Sequence, residues 1–403
     1  MHVLAADPLL AGDIGLNEVL WVIAKVVLAF VVLLVAVILT IWFERKAIAG
    51  LQNRIGPNKA GPWGLFITLA DGIKLILKED LMPEKADRPV FVLAPFLAVV
   101  PAFITFCIVP LGGDFVDGDG TITLFNTTTF LQVADPPVGI LLALAMSSIA
   151  VYGVMLAGWA SGSKYPLLGS VRATAQMVSY EAALGLSVAS VLLLSGTLST
   201  HGIVLGQDGF VNWNVVATGI LPFIIFFIAA TAELNRPPFD LVEAEQEIVA
   251  GYHTEYSSFR FAVFYLSEYI NLVTMSGIMV TLFLGGPRPP VEWLEVPIVP
   301  GWLSGVIWFV AKVVAFVFVY IWIRASLPRL RYDQLMDLGW KVLIPAAFGW
   351  FLVLAALQVA EDEGWNRAVV GGVAALVAVV SYLLLSAALR VSARNRELEG
   401  TVF

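Results

Sequence analysis

Long apolar runs, separated by polar or glycine- and proline-rich stretches, recur along most of the chain. A helix needs roughly 20 apolar residues to cross the hydrocarbon core of a bilayer. Nine stretches answer to that requirement: 19–43, 89–111, 138–160, 177–200, 215–233, 259–284, 302–325, 341–360 and 368–390. The pattern predicts an all-α, polytopic integral membrane protein of about nine transmembrane helices, with residues 1–403 forming one membrane domain. Composition agrees, because 59% hydrophobic and 13% charged residues with a mean hydropathy of +0.87 lie far outside the soluble range.

Between the first two spans the period changes. In "GPWGLFITLADGIKLILKED", Leu65, Leu69, Ile73, Ile76 and Leu77 recur at helical spacing, leaving Asp71, Lys74 and Lys78 towards a polar side. Pro62 suits the first turn. This segment is too short and too charged to span, so it predicts an amphipathic helix lying in the interface. Such a helix could wall a lateral doorway for a lipid-soluble molecule, or it could serve only as an anchor. The preceding "ERKAIAGLQNRIGPN" sets Arg45, Lys46, Arg54 and Lys59 where a span meets water, a position that also fits simple attachment to lipid headgroups.

Charge then orients the chain. With the N-terminus outside and the C-terminus cytoplasmic, all but four of the 23 lysines and arginines fall on the inner side, the exceptions being Lys25, Arg288, Lys312 and Arg367. That asymmetry follows the positive-inside rule. The opening "MHVLAADPLL" has no basic n-region, so the first span reads as a retained anchor. Acids of the outer loops, among them Asp7, Asp135 and Asp208, read as solvated charges. A net charge of -8 is not that of a nucleic-acid partner.

Several chemistries lack their residues. The single cysteine, Cys107, lies within a span and cannot hold an iron–sulfur cluster or a thiolate zinc site. His2, His201 and His253 all fall outside the spans, so paired axial ligands for a membrane haem are not expected. Neither a phosphate loop nor a dinucleotide fingerprint occurs, and "GDFVDGDG" lacks the terminal acid of a calcium loop. We expect no bound metal, flavin or iron–sulfur cluster on this chain, and any electron transfer belongs to partner chains.

Carboxylates gather instead on the inner side. In "AELNRPPFDLVEAEQE" (232–247), Pro237 and Pro238 should end the fifth span near Asn235, and Asp240 with Glu243 forms a capping-box pattern. Glu247 follows Glu243 on the same face, where like charges repel. Glu181 falls at the start of span four, Glu233 closes span five and Glu268 lies inside span six. An ionisable group at membrane depth costs roughly 2.5–3.5 kcal/mol and usually marks an ion or proton path. Together with Glu245 and Glu255, these acids outnumber Arg236 and Arg260, the cations nearest in sequence. Crowding and desolvation raise the proton affinity of carboxylates, as a relay requires. An acidic, solvated surface loop is the alternative reading of the 243–247 acids.

The segments "ERKAIAGLQNRIGPN", "ADGIKLILKE", "GSVRATAQMVSYE", "AELNRPPFDLVEAEQEIVAGYHTEYSS", "SEY" and "RASLPRLRYDQLMDLGWK" resemble, in order and spacing, the H-type membrane subunits of proton-translocating NADH:quinone oxidoreductases, bacterial respiratory complex I. The resemblance runs from about Glu44 to Pro345. It implies a chain of the bacterial plasma membrane that forms the quinone passage and chamber beneath the soluble redox arm. Quinone, either menaquinone or ubiquinone, would be the substrate. Glu181, Glu233, Asp240, Glu243, Glu245, Glu247, Glu255 and Glu268 would form a proton path. Arg45, Gln52, Arg54, Asp71 and Lys74 would line the quinone passage, with Arg236, Phe239, Arg324 and Arg329 on its inner wall. Trp63, Leu65, Phe66 and Leu69 would face the apolar tail. Implied partners are the soluble quinone-site subunits, including the one with the terminal iron–sulfur cluster, small and antiporter-like membrane subunits, and lipids.

Ala244 and Gln246 stand where the family more often has glycine and serine. The ninth span and tail (361–403) extend beyond the shared core of 44–345, and the outer loop 112–137 has no assigned role. Other readings are a subunit of a related machine such as a membrane-bound hydrogenase, an autonomous transporter, or an anchor for a soluble arm. Transporters often carry internal repeats, and none is apparent.

Overall fold

A computed structural model describes residues 7–10, 15–115, 118–124, 127–241, 248–291 and 299–398. Each of the nine predicted spans overlaps a helix, the second and fourth running five residues past its end: α1 (Leu16–Leu51), α3 (Arg88–Phe106), α4 (Gly139–Ala160), α5 (Lys164–Ser195), α8 (Ile220–Glu233), α9 (Ser258–Phe283), α10 (Gly301–Ser326), α11 (Tyr332–Asp362) and α12 (Arg367–Leu398). Between them lie α2 (Ile67–Leu77), α6 (Thr200–Leu205) and α7 (Asn214–Ala217). Among the described residues seven helices, α1, α3, α4, α5, α9, α10 and α11, are long and apolar enough to cross a membrane. Helix α8 is a shorter apolar helix of 14 residues.

The centre of the bundle is α9. Its residues from Leu272 to Phe283 are all buried, and it packs against α1, α3, α5, α8 and α10. By contrast α1 turns mostly apolar side chains outward, as a helix facing lipid does. Helix α12 packs on α11 at the periphery.

Small residues set the closest approaches, as is common between membrane helices. A Cβ on Gly153 of α4 would stand 2.7 Å from the Ala98 nitrogen of α3, and one on Gly158 would stand 2.2 Å from Ser170 Oγ of α5. These contacts explain why the fourth span starts at Lys164 rather than near 177. The first half of α5 is too polar to register as apolar, yet Pro166, Gly169, Ser170 and Ala173 give it a buried face. Glu181 consequently sits mid-helix.

Two further boundaries differ from expectation. The interfacial segment divides into a 3-10 turn, Pro62–Gly64, and the 11-residue α2, because Gly64 and Trp63 both take positive φ. The eighth span starts earlier, at Tyr332, and passes through a π-helical turn, Leu338–Leu343, before continuing. A π turn inserts one extra residue and rotates the helix face that follows.

The loop between α3 and α4 carries a small hairpin that the apolar pattern did not reveal. Strand β1 (Thr121–Leu124) pairs antiparallel with β2 (Thr127–Phe130), Thr121 opposite Phe130. His201 stacks on Phe130 with centroids 3.9 Å apart, and its Nε2 lies 2.9 Å from the Asp119 carbonyl oxygen. Nearby, Asp7 is buried and accepts from Thr129 Oγ1 at 2.9 Å and from Lys25. Asp135 accepts from Ser199 Oγ at 2.6 Å. Neither acid is the solvated charge expected: Asp7 is held against the hairpin by Thr129, and the half-buried Asp135 is held by Ser199 before α6.

The second embedded cation, Lys312 of α10, donates from Nζ to the carbonyls of Leu284, Gly286 and Arg288 at 2.7, 2.9 and 2.6 Å. These carbonyls end α9 and begin the turn after it. Cys107 follows α3 and donates weakly to the Phe103 carbonyl at 3.4 Å, a packing role.

Candidate functional site

At one end of the bundle, the last turns of α1, the loop 234–241, α9 and α10 converge on four charges. Glu44 is buried although it stands near the end of a long apolar helix. Its Oε2 accepts from Arg236 Nη1 at 2.9 Å and from the Tyr269 hydroxyl at 2.9 Å. Its Oε1 accepts from Arg324 Nη1. Arg236 also brings Nε to 2.9 Å from Glu268 Oε1, and its guanidinium lies 4.4 Å from the centre of the Tyr269 ring. Burial disfavours the charged form of Arg236, but Glu268 and Glu44 outweigh it and hold the guanidinium protonated beyond the ordinary arginine range.

Local sequence explains how Arg236 reaches this point. Helix α8 ends at Glu233, Asn235 turns the chain with a positive φ, a conformation asparagine tolerates better than most residues, and Pro237 disfavours helical backbone at Arg236. The Leu330 amide donates to the Pro238 carbonyl at 3.0 Å, tying the loop to the segment after α10. On the same loop Asp240 is buried and accepts from Arg329 Nη2 at 2.7 Å. Phe239 is buried beside Tyr180, centroids 5.6 Å apart, and its carbonyl accepts from Gln176 Nε2 at 2.9 Å.

One helical position on from Glu44, Arg45 pairs with Asp71 of α2 at 2.7 Å, and Lys74 pairs with the same carboxylate at 2.9 Å. Partial burial pushes the Asp71 carboxyl up, but hydrogen bonds and charge from Lys74 and Arg45 more than offset it and leave it below the usual carboxylate range. The Trp63 carbonyl accepts from Trp42 Nε1 at 3.1 Å, which ties the turn before α2 to α1. Trp63, Phe66 and Leu69 are exposed.

A second group of acids lies deeper. Glu181 of α5 accepts from Ser148 Oγ of α4. Glu233, the last residue of α8, shares this neighbourhood with Ser147 of α4 and feels the Glu181 charge. The Oε2 of Glu233 is sealed from solvent without a hydrogen-bond partner among the described residues.

The fold thus brings together Arg236, Arg324 and Glu268, then Arg45, Asp71 and Lys74, then Asp240 and Arg329, then Glu181 and Glu233. Gln52 and Arg54 form an exposed local pair, Arg54 Nε to Gln52 Oε1 at 2.7 Å. Glu255 is half-buried in the turn after a 3-10 helix, Gly251–His253. Glu243, Glu245, Glu247 and the capping pattern that begins at Asp240 lie, wholly or in part, outside the described residues. Sequence reading passed over Glu44. The available signal was an acid directly after the apolar "TIWF", before two cations that masked it.

This set, with Glu44, Arg236 and Tyr269 buried and Glu268 and Arg324 partly exposed, can present hydrogen-bond donors to a polar headgroup and can balance charge appearing beside it. Among the described residues no group of three or more His, Cys, Asp or Glu side chains has a metal-binding arrangement.

The sequence profile of the NADH dehydrogenase family matches residues 24–355. A protein of Frankia casuarinae, named as an H-type subunit of NADH-quinone oxidoreductase, is 48% identical over 387 residues, covering 93% of this chain and 82% of that protein. Its namesake from Frankia alni is 49% identical over 367 residues, covering 91% and 79%. Seven bilayer-length helices and a match across most of the chain carry one conclusion: this membrane protein belongs to the NADH dehydrogenase family, among the H-type subunits of NADH-quinone oxidoreductase.

Proposed function

We propose that the chain forms the passage and inner chamber for a quinone in a proton-translocating NADH:quinone oxidoreductase, and that its carboxylates begin the proton path. The observation that carries this reading is the charge cluster of the buried Glu44 and Arg236 with the partly exposed Glu268 and Arg324, lying one helical position from the Arg45–Asp71 pair of the interfacial helix. A lipid-soluble substrate with a polar head needs that combination, an apolar approach ending at fixed donors.

In this reading Trp63, Phe66 and Leu69 face the isoprenoid tail, and Arg45, Asp71 and Lys74 flank the passage with Gln52 and Arg54 at its rim. Arg236, Phe239, Arg324 and Arg329 form the inner wall. Arg236 Nη2 is sealed without a hydrogen-bond partner among the described residues, which suits a donor reserved for a headgroup. Reduction of the quinone adds charge beside the cluster. The response passes through Glu268, Asp240, Glu243, Glu245, Glu247 and Glu255 towards Glu233 and Glu181.

Electrons reach the quinone from a soluble partner bearing the terminal iron–sulfur cluster, and this chain carries no redox centre. Antiporter-like and small membrane subunits receive the coupled change. The N-terminus lies outside and the C-terminus in the cytoplasm of a bacterial plasma membrane. Residues 44–345 form the functional core, and 361–403 add a peripheral helix and tail.

The test is photoaffinity labelling of the intact complex with an azido-quinone. Label on the inner end of α1, on α2 or on loop 234–241 is the expected result. Label confined to other surfaces overturns the reading.

A further inference from the structure

Glu233 Oε2 and Thr274 Oγ1 are both sealed from solvent and without hydrogen-bond partners among the described residues, and both residues line one cavity of about 20 Å³. The cavity lies where α3, α4, α5, α8 and α9 meet, and Asn271, Thr105 and Ser147 also line it. A buried water needs roughly 10–15 Å³ of such space and two to four polar partners, and this site supplies both. A second cavity of the same size adjoins it through Thr105, Ser147 and Met275. Ile140, Leu184, Val188, Phe226 and Leu282 make its remaining wall mainly apolar, the character of a cavity that stays dry.

We propose that the polar cavity binds water and that Thr274 and Asn271 are positioning residues that act on Glu233 through it. This deepens the proton path proposed above and rests on it. A neutral carboxyl needs an acceptor for its proton, whereas a carboxylate needs donors. Only a ligand that both donates and accepts serves the two states in one place. Water does, and the Thr274 hydroxyl and the Asn271 amide can each turn a donor or an acceptor towards it. The water therefore lets Glu233 change protonation state without leaving a buried polar atom orphaned. Glu181 and Ser148 stand on the other side of this step, held to each other by their own hydrogen bond.

The experiment is redox-induced infrared difference spectroscopy and proton pumping on the intact complex in proteoliposomes, with Thr274→Val, Thr274→Ser and Glu233→Gln. The carboxyl C=O band lost in Glu233→Gln belongs to Glu233. Thr274→Val keeps shape and removes the hydroxyl, so that band should move to higher frequency, as for a less hydrogen-bonded carboxyl, with pumping reduced several-fold. Thr274→Ser should restore band and pumping. An unmoved band and normal pumping in Thr274→Val, with Glu233→Gln defective, overturn the water site and leave the path standing. Normal pumping in Glu233→Gln retires the path, and this site with it.

Discussion

Glu44 and Arg236 are 192 residues apart in sequence, yet their side chains meet at 2.9 Å where neither is more than 5% exposed. Removing one member of a buried pair strands the other, at a cost of about 3–5 kcal/mol. Glu44→Ala should therefore lower the thermal stability of the solubilised complex by an amount of that order and abolish quinone reduction. Glu44→Gln keeps an acceptor for the Tyr269 hydroxyl and should lose less. Wild-type melting and turnover in Glu44→Ala would remove this acid from both roles.

The Arg45–Asp71 pair is partly exposed, and such pairs contribute about 0–1 kcal/mol to stability. Asp71→Asn should leave melting almost unchanged while raising the apparent KM for a short-chain quinone, because the passage loses its fixed charges. Titrating initial rates against quinone concentration checks this. An unaltered KM places Asp71 outside the passage.

Glu245→Gln and Glu247→Gln should preserve assembly, visible as intact complex on native gels, while depressing quinone reductase activity and proton pumping together. If both variants run and pump as wild type, these glutamates are solvated surface charges.

His253 gives a pH-dependent outcome. Burial pushes its imidazole down to about 4, against the opposing pull of Glu268 and Asp240. In an unfolded chain the ring titrates near 6.5. Above that pH both states are neutral and the group contributes no difference. As pH falls from 6.5 towards 4 the opened state takes up a proton that the closed state resists. Closure of segment 248–257 should weaken by about 3 kcal/mol over that window. Hydrogen exchange at pH 7 and pH 5, corrected for intrinsic rates, should show faster opening at the lower pH, and His253→Phe should flatten the difference. Equal corrected protection in the native chain at both pH values contradicts it.

The apolar spans were legible because hydropathy follows composition, and the end of α8 because Pro237 and Pro238 forbid continuation. Glu268 was legible as an acid at membrane depth, and Asp71 and Arg45 as polar positions at an interface, but a role beside a quinone for Arg236, Arg324, Asp71 and Arg45 came only from a recurring set of motifs. Their pairing was not legible, since it depends on how α1, α9 and α10 pack. Glu44 escaped for that reason: next to Arg45 and Lys46 it reads as a headgroup neighbour, and only the arrival of Arg236 and Arg324 from distant segments buries it. The first half of α5 and the hairpin β1–β2 escaped because close packing of glycine, serine and threonine stabilises them, and a hydropathy scale weighs none of it.

The lysine at 312 also bears on how α9 and α10 are held together. The last turn of α9 is capped from earlier segments, by Gln207 on the Thr281 carbonyl and Asn214 on the Leu282 carbonyl, but the carbonyls of Leu284, Gly286 and Arg288 just beyond it converge on one point. They are satisfied by an ammonium that the next span delivers, placed where the negative pole of the α9 dipole favours it. Without α10 the turn after α9 loses these donors, and without that turn Lys312 carries a charge within an apolar span. The pairing of α9 with α10 is thus fixed at their shared end by one side chain, and the turn between them keeps its shape only while both helices are in place.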